Sequence, residues 1–375
     1  MEPIAIIGDI HLNPKCENAT ILNKILQAQQ QFFTDLVADL SARGITKAVF
    51  TGDIFTNHRY VSVEAINDAI NLFGKTLKDA GIEAYVIAGN HDFLYEDVPS
   101  ISSVGMLSLF PNVHLFIDKV GKVKIDDRNW YFVPWVFQEK MEKMNEWLSG
   151  LAAKGKTEKN VIVGHFDMYG ALMEAGQRSE AGFDVNKFYN AAKHTFSGHY
   201  HCRSDMRPSP DSETHITYVG TPYHLSFAHV GTECGYYIID GDKVEFIENT
   251  KAPRFIDIVD SDIGDEMPDL SNNFVRYFTR NDRTHDEAMV LRMKLEHAAP
   301  LLIKTVPYGN TPDEDIDVQR IADDEETRRI LSSDSLGMAD LYMEKNPELL
   351  PELHSGEDPK QKIRDFLLEM TEKRT

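Results

Sequence analysis

Apolar and polar positions follow two rhythms along the chain. Short apolar runs, among them "PIAII", "KAVF", "EAYVIA", "NVIV" and "HTF", each end in a polar cluster led by glycine, threonine-glycine or serine-glycine. Between the first of them lie stretches with a period near 3.6. Ile21, Leu22, Ile25, Leu26, Phe32, Phe33, Leu36, Val37 and Leu40 predict a helix closed by Arg43 and Gly44. A second amphipathic stretch over about 61–80 ends at Gly81. The further runs "WYFVPW" and "THITYVGTPYH" continue the series. Strands alternating with helices predict a layered α/β domain, and in such folds functional residues collect just beyond the strand ends.

The pattern changes near residue 250. "PRFIDIVD", "NNFVRYFTR", a helix over about 284–297 and "LLIKTVPY" predict a small α+β unit at 251–310. Residues 311–375 open with the acidic, turn-rich "TPDEDIDVQRIADDEE", which reads as a linker. Two short helices follow. Met338, Leu341 and Tyr342 mark the first; the second starts at Asp358 and Pro359 and carries a stripe of Ile363, Phe366, Leu367 and Met370. The expected domains are thus 1–250, 251–310 and 311–375.

A length of 375 residues suits two or three domains. No apolar run is long enough to span a membrane, and "MEPIAIIGDI" lacks the basic start of a signal peptide, so a cytoplasmic protein is expected. Cys16, Cys202 and Cys234 have no paired spacing and read as free thiols; Cys202 is a bystander or a soft metal ligand. The net charge is −21. Residues 1–255 hold 24 basic and 32 acidic side chains (−8), and residues 256–375 hold 15 and 28 (−13). This balance excludes a generic polyanion binder.

Five strand-end clusters carry candidate chemistry: "GDIH" with Asp9 and His11, "GDIF" with Asp53, "GNHD" with Asn90, His91 and Asp92, "GH" with His165, and "GHYH" with His199 and His201. Taken singly, each is most simply a turn, and the sharp bends are expected at the glycines. Taken together they form a set of carboxylates, imidazoles and one amide oxygen, which suits manganese, iron or zinc rather than a thiolate zinc site. Seven ligands suit two ions sharing a carboxylate.

At these residues the sequence resembles the calcineurin-like metallophosphoesterases. With "VPW" and "YVGTPYHLSF" added, it is similar to the nuclease subunits of the SbcCD and Mre–Rad complexes, above all the branch from T-even-type phages. The resemblance implies a four-layer sandwich of two mixed β-sheets flanked by helices, with a small α+β cap and a C-terminal helical pair. It implies two divalent ions, most often manganese, held by Asp9, His11 and His201 on one side and Asn90, His165 and His199 on the other, with Asp53 bridging. His91 would protonate the leaving oxygen, and Asp92 would orient it. The implied function is exonuclease and endonuclease action on DNA in repair, replication and recombination, in the host cytoplasm for a phage protein. The implied assembly is a nuclease dimer, in contact through the helices near 61–80 and 100–110, bound by its C-terminal helices to two coiled-coil ABC ATPase subunits. Thr56 stands where cellular members often have a histidine; His58 and Arg59 follow, as a phosphate contact or an exposed pair. The alternative function is a stand-alone phosphodiesterase for small esters.

Overall fold

The computed structural model describes residues 2–308 apart from 15–17, 96–100, 156, 174–175, 265–266 and 281–282. Cys16, the acidic linker and both C-terminal helices lie outside the described residues. The chain builds β1 (Ile4–Ile7), α1 (Ala19–Ala42), β2 (Lys47–Phe50), α2 (Val63–Ala69), a π-helical stretch (Ile70–Thr76), α3 (Leu77–Asp79), β3 (Glu83–Ile87) and β4 (Val113–Phe116). A second series gives β5 (Gly121–Ile125), β6 (Arg128–Val133), α4 (Met141–Ala152), β7 (Asn160–His165), α5 (Val185–Ala191), β8 (His194–Gly198), β9 (Ser204–Met206) and β10 (His215–Tyr218). Then come β11 (Gly235–Asp240), β12 (Lys243–Glu248), β13 (Arg254–Val259), β14 (Asn273–Arg280), α6 (His285–His297) and β15 (Leu302–Tyr308).

The strands make two mixed sheets, ordered β12-β11-β1-β2-β3-β4 and β5-β6-β7-β8-β10-β9, and a third, β13-β14-β15. Strand periodicity sorts the layers. Ile4 and Ile6 of β1 pack, with Val49, Tyr85 and Ile87, against Trp130, Phe132, Val161, Val163 and Phe196 of the second sheet. Ala5 and Ile7 face the other way, into a core with Phe32, Leu36 and Leu40 of α1 and Leu72 and Phe73 of the π-helical stretch. On the outer face of the second sheet, Ile162 and Tyr218 meet Leu148 of α4 and Phe188 of α5. Helices, sheet, sheet and helices form the four layers. The third sheet is parallel throughout and packs Phe255 and Phe274 on Ile21 and Ile25 of α1.

Local chemistry explains the element ends. The Asn18 side chain accepts from Thr20 N and Ile21 N at 3.0 and 3.1 Å and caps α1. The amphipathic stretch over 61–80 is interrupted where the sequence predicts one helix. Its π-helical part contains Gly74, and a side chain there would meet the Phe110 ring at 2.5 Å; the missing Cβ lets that ring press on the backbone. Among the described residues no helix is long and apolar enough to cross a membrane.

One buried group sets an expected pH response. His194 is 2% exposed, and among the described residues neither ring nitrogen has a hydrogen-bond partner, although Asp242 Oδ1 lies 3.8 Å from Nε2. Burial, then the neighbouring His215, Arg128 and Lys193, push it from 6.5 down to about 3. The unfolded chain therefore takes up a proton below about pH 6.5 that the folded chain refuses until near pH 3. Its contribution is intact above pH 6.5 and lost on acidification, at about 1.4 kcal/mol per pH unit. Denaturant titrations of His194→Gln between pH 7 and 5 should show a shallower loss than wild type; an unchanged slope contradicts the assignment.

Candidate metal centre

The parallel strands of both large sheets end at one place. Asp9 and His11 follow β1, Asp53 follows β2, Asn90 to Asp92 follow β3, His165 closes β7, and His199 and His201 follow β8. Asp9, His11, Asp53, Asn90, Asp92 and His165 are all buried. The bends sit largely on the ligands themselves. His11, Asp53 and His199 have φ of 43°, 49° and 91°, whereas Gly52 alone of the preceding glycines is left-handed, at 109°. Such conformations are unfavourable for residues with a Cβ and persist where the surroundings fix them. Gly198 serves close approach instead: a Cβ there would strike the Asp9 carboxylate, and its absence lets β8 reach the centre. The strained loop after β1 is tied from outside. Gln29, the buried polar residue on the apolar face of α1, donates to His11 O at 3.0 Å and Ile10 O at 3.3 Å, and the Tyr223 hydroxyl donates to Ile10 O.

Two ligand groups result, Asp9 with His11 and His201, and Asp9 with Asp53 and His165. Asp9 belongs to both. Asp53 also faces both sides, with Oδ2 3.7 Å from His11 Nε2 and Oδ1 3.5 Å from His165 Nε2. Asn90 Oδ1 lies 2.8 Å from His165 Nε2 and 3.1 Å from His199 Nδ1. His165 Nδ1 meets the Thr51 carbonyl at 2.9 Å, so its proton sits there and Nε2 turns a lone pair inward. The Nε2 atoms of His11 and His201 are 3.0 Å apart, a spacing that needs a shared proton or a cation. Cys202 is buried and belongs to neither group.

The electrostatics fit a cation. Burial, then Asp53, raises Asp9 well above the usual carboxylate range and Asp92 to about 7. Burial, then neighbouring histidines, holds His11 and His165 well below their usual value. Burial brings His199 to about 4. Crowded carboxylates resist ionisation and crowded imidazoles resist protonation, and a dication among them relieves both.

His91 and Asp92 divide their work. The His91 Nδ1 donates to the Thr56 carbonyl at 2.8 Å, and its amide donates to Asp53 Oδ1 at 2.9 Å. The His58 ring stacks on His91 at 4.6 Å between centroids. Asp92 accepts from Phe55 N at 3.0 Å and Gly89 N at 2.9 Å. Its carboxylate thus shapes the loop that carries His91, and the direct partner of the ring is the carbonyl of Thr56.

The profile of the calcineurin-like phosphoesterases matches residues 2–203, over half the chain and through the histidine pair. The chain belongs to that family. It is also 28% identical over 247 residues to "Exonuclease subunit 1" of Enterobacteria phage T4, covering 65% of this chain and 66% of that protein, just under two-thirds of its length. Solved structures similar to the chain include the following two. They are GAP50, the anchor in the inner membrane complex of Plasmodium (0.40, 11% identity, 67% of this chain and 85% of that one), and a dimetal phosphatase from Danio rerio (0.41, 10%, 63% and 91%).

Around this phosphoesterase site stand residues that sequence reasoning did not single out. Gln29 was detectable as a polar interruption of an apolar helix face. His229 was not, since only the tertiary fold brings it to His201. Its Nε2 lies 3.2 Å from His201 Nδ1, and its Nδ1 lies 3.3 Å from both the Thr221 hydroxyl and Leu225 N. The Leu225 amide donates to His229 Nδ1, so a neutral His229 carries its proton on Nε2 and donates it to His201 Nδ1, which fixes the orientation of the His201 ring at the centre. Partners of this kind typically contribute about 10–100-fold to metal affinity. Calorimetric titration of His229→Ala with manganese should show such a loss, and His229→Gln, which keeps a donor, should recover part of it. Unchanged affinity in both variants contradicts the role.

Proposed function

We propose that the chain is the nuclease subunit of an ATP-dependent DNA end-processing and recombination complex. It hydrolyses phosphodiester bonds, as exonuclease and endonuclease, with two divalent ions, most suitably manganese. The observation that carries this reading is the convergence of all five strand-end clusters on one buried centre. The exonuclease named among its relatives gives the substrate class.

Asp9, His11 and His201 would hold one ion, Asn90, His165 and His199 the other, and Asp53, which faces both histidine sets, would lie between them. Bound there, the ions supply positive charge to the phosphate and an acidified water. The Thr56 carbonyl accepts from His91 Nδ1 and orients the ring, whose Nε2 would give the proton to the leaving oxygen. Asp92 keeps that loop in place through backbone amides.

A chain of net charge −21 repels duplex DNA over much of its surface, so most phosphate contacts belong to a partner. That partner is a coiled-coil ABC ATPase, docked on the apolar stripe of Ile363, Phe366, Leu367 and Met370. Tyr60, Val63, Ile101 and Leu109, each at least three-quarters exposed, support a dimer contact near 61–80 and 100–110.

The test uses the full chain with its copurified ATPase, stripped by chelator. DNA hydrolysis should vanish and return with manganese better than with magnesium. Removing residues 327–375 should abolish ATPase association and leave metal binding intact. A chain with full metal occupancy that never cleaves DNA would overturn the nuclease reading.

A further inference from the structure

A cavity of about 200 Å³ lies beside the metal centre, between the loop after β6 and α4. Trp135, Met144 and Trp147 line it, together with Lys140 and Lys143. Trp135 is shared with the centre. Its ring centroid is 5.1 Å from that of His199 and 5.9 Å from that of His165. Its amide donates to Ala88 O at 2.8 Å, which fixes the loop next to Asn90. Trp135 thus forms part of the cavity wall and also touches the rings of the centre.

Two indole rings and a thioether offer flat, apolar, polarisable surface, the kind on which unstacked bases rest. Two lysines beside them suit backbone phosphates. Asp118 also lines the cavity, and a carboxylate there disfavours a phosphate inside it while accepting from a base amino group. We infer that this cavity holds the nucleobase adjoining the scissile phosphate, stacked on the tryptophans, with Lys140 and Lys143 on the flanking phosphate. The inference rests on the nuclease reading and adds to it: the strand is unstacked next to the cut, and single-stranded ends enter more readily than intact duplex.

The test uses the full chain loaded with manganese. Single-stranded oligonucleotides carry one abasic position, moved stepwise along the strand. For wild type, one position next to the cut should lower kcat/KM by roughly five- to a hundredfold, the range of a lost base–aromatic contact. Trp147→Ala should erase that penalty, and Trp147→Phe should restore it. In parallel, a trinucleotide bearing 2-aminopurine should be quenched on binding wild type and not Trp147→Ala. Lys143→Glu, at an exposed side chain, serves if the tryptophan variant does not fold, and should weaken the trinucleotide several-fold. DNA cleavage with no position-specific abasic penalty, or a penalty that survives Trp147→Ala, overturns the base site and leaves the nuclease reading standing. Quenching without any DNA cleavage does the reverse.

Discussion

Asp53→Asn should lose both metal ions and lower phosphodiester hydrolysis by roughly 10³-fold or more, the several kcal/mol that metal-ion charge stabilisation supplies. Asparagine is the informative replacement. Asp53 is left-handed at φ 49°, a conformation asparagine tolerates and alanine does not, and an amide oxygen can still accept from His91 N. The loss therefore reports charge rather than a collapsed loop. The same change should have the opposite sign on the metal-free fold. Asp53 is the largest charge raising Asp9 and Asp92, whose folded pKa values lie above 3.8. Carboxylates raised on folding cost stability once the pH passes their unfolded value, because the folded state must ionise them against each other. With Asp53 neutral, metal-free protein at pH 7 should melt higher than metal-free wild type. Manganese should then raise the melting temperature of wild type and leave the variant unmoved. Metal analysis and two melting curves check both signs, and two bound ions in the variant would refute the bridging role.

What the sequence made legible follows burial. β1, β7 and β8 are buried on both faces and read as apolar runs. The unread edge strands are β4, β5, β9 and β12, which bound the two large sheets. These edge strands are only partly covered, so β5 alternates exposed lysine with valine and isoleucine, and β9 is three residues without a pattern. β11 was missed although it is buried and ends in the turn Asp240-Gly241-Asp242, because that turn carries no metal-ligand set to draw notice. The ligand set was legible for a related reason: each member stands at the end of a central strand, where the chain itself supplies the marker. The support around it was not. Gln29, Trp135 and His229 act across the tertiary fold, and nothing in local spacing points to their partners. The bends were also misplaced. Glycine was expected to turn the chain, yet His11, Asp53 and His199 carry the left-handed backbone, and Gly198 is needed for room.

His91→Ala should keep its metal and lose about 10²–10⁴-fold in DNA hydrolysis, the usual effect of removing one general acid. Its neighbours argue for that separation. The ring belongs to neither ligand group, although its centroid lies 5.1 Å from that of His11. Its Nδ1 is committed to the Thr56 carbonyl, so the proton available for transfer is on Nε2. An acid matters in proportion to how poor the leaving group is, so the loss should shrink on a nitrophenyl phosphodiester, whose phenolate leaves without help. Metal content of the variant separates chemistry from binding, and the two substrates separate proton donation from simple positioning. His58 gives the graded control. It stacks on His91 and its Nδ1 meets the Phe93 carbonyl at 3.0 Å, so it steadies the ring without replacing its proton. His58→Ala should cost no more than about tenfold, the scale of one aromatic contact, and His58→Phe should restore most of it. Equal losses for His91→Ala on both substrates would remove the acid role and leave His91 as a phosphate-positioning residue.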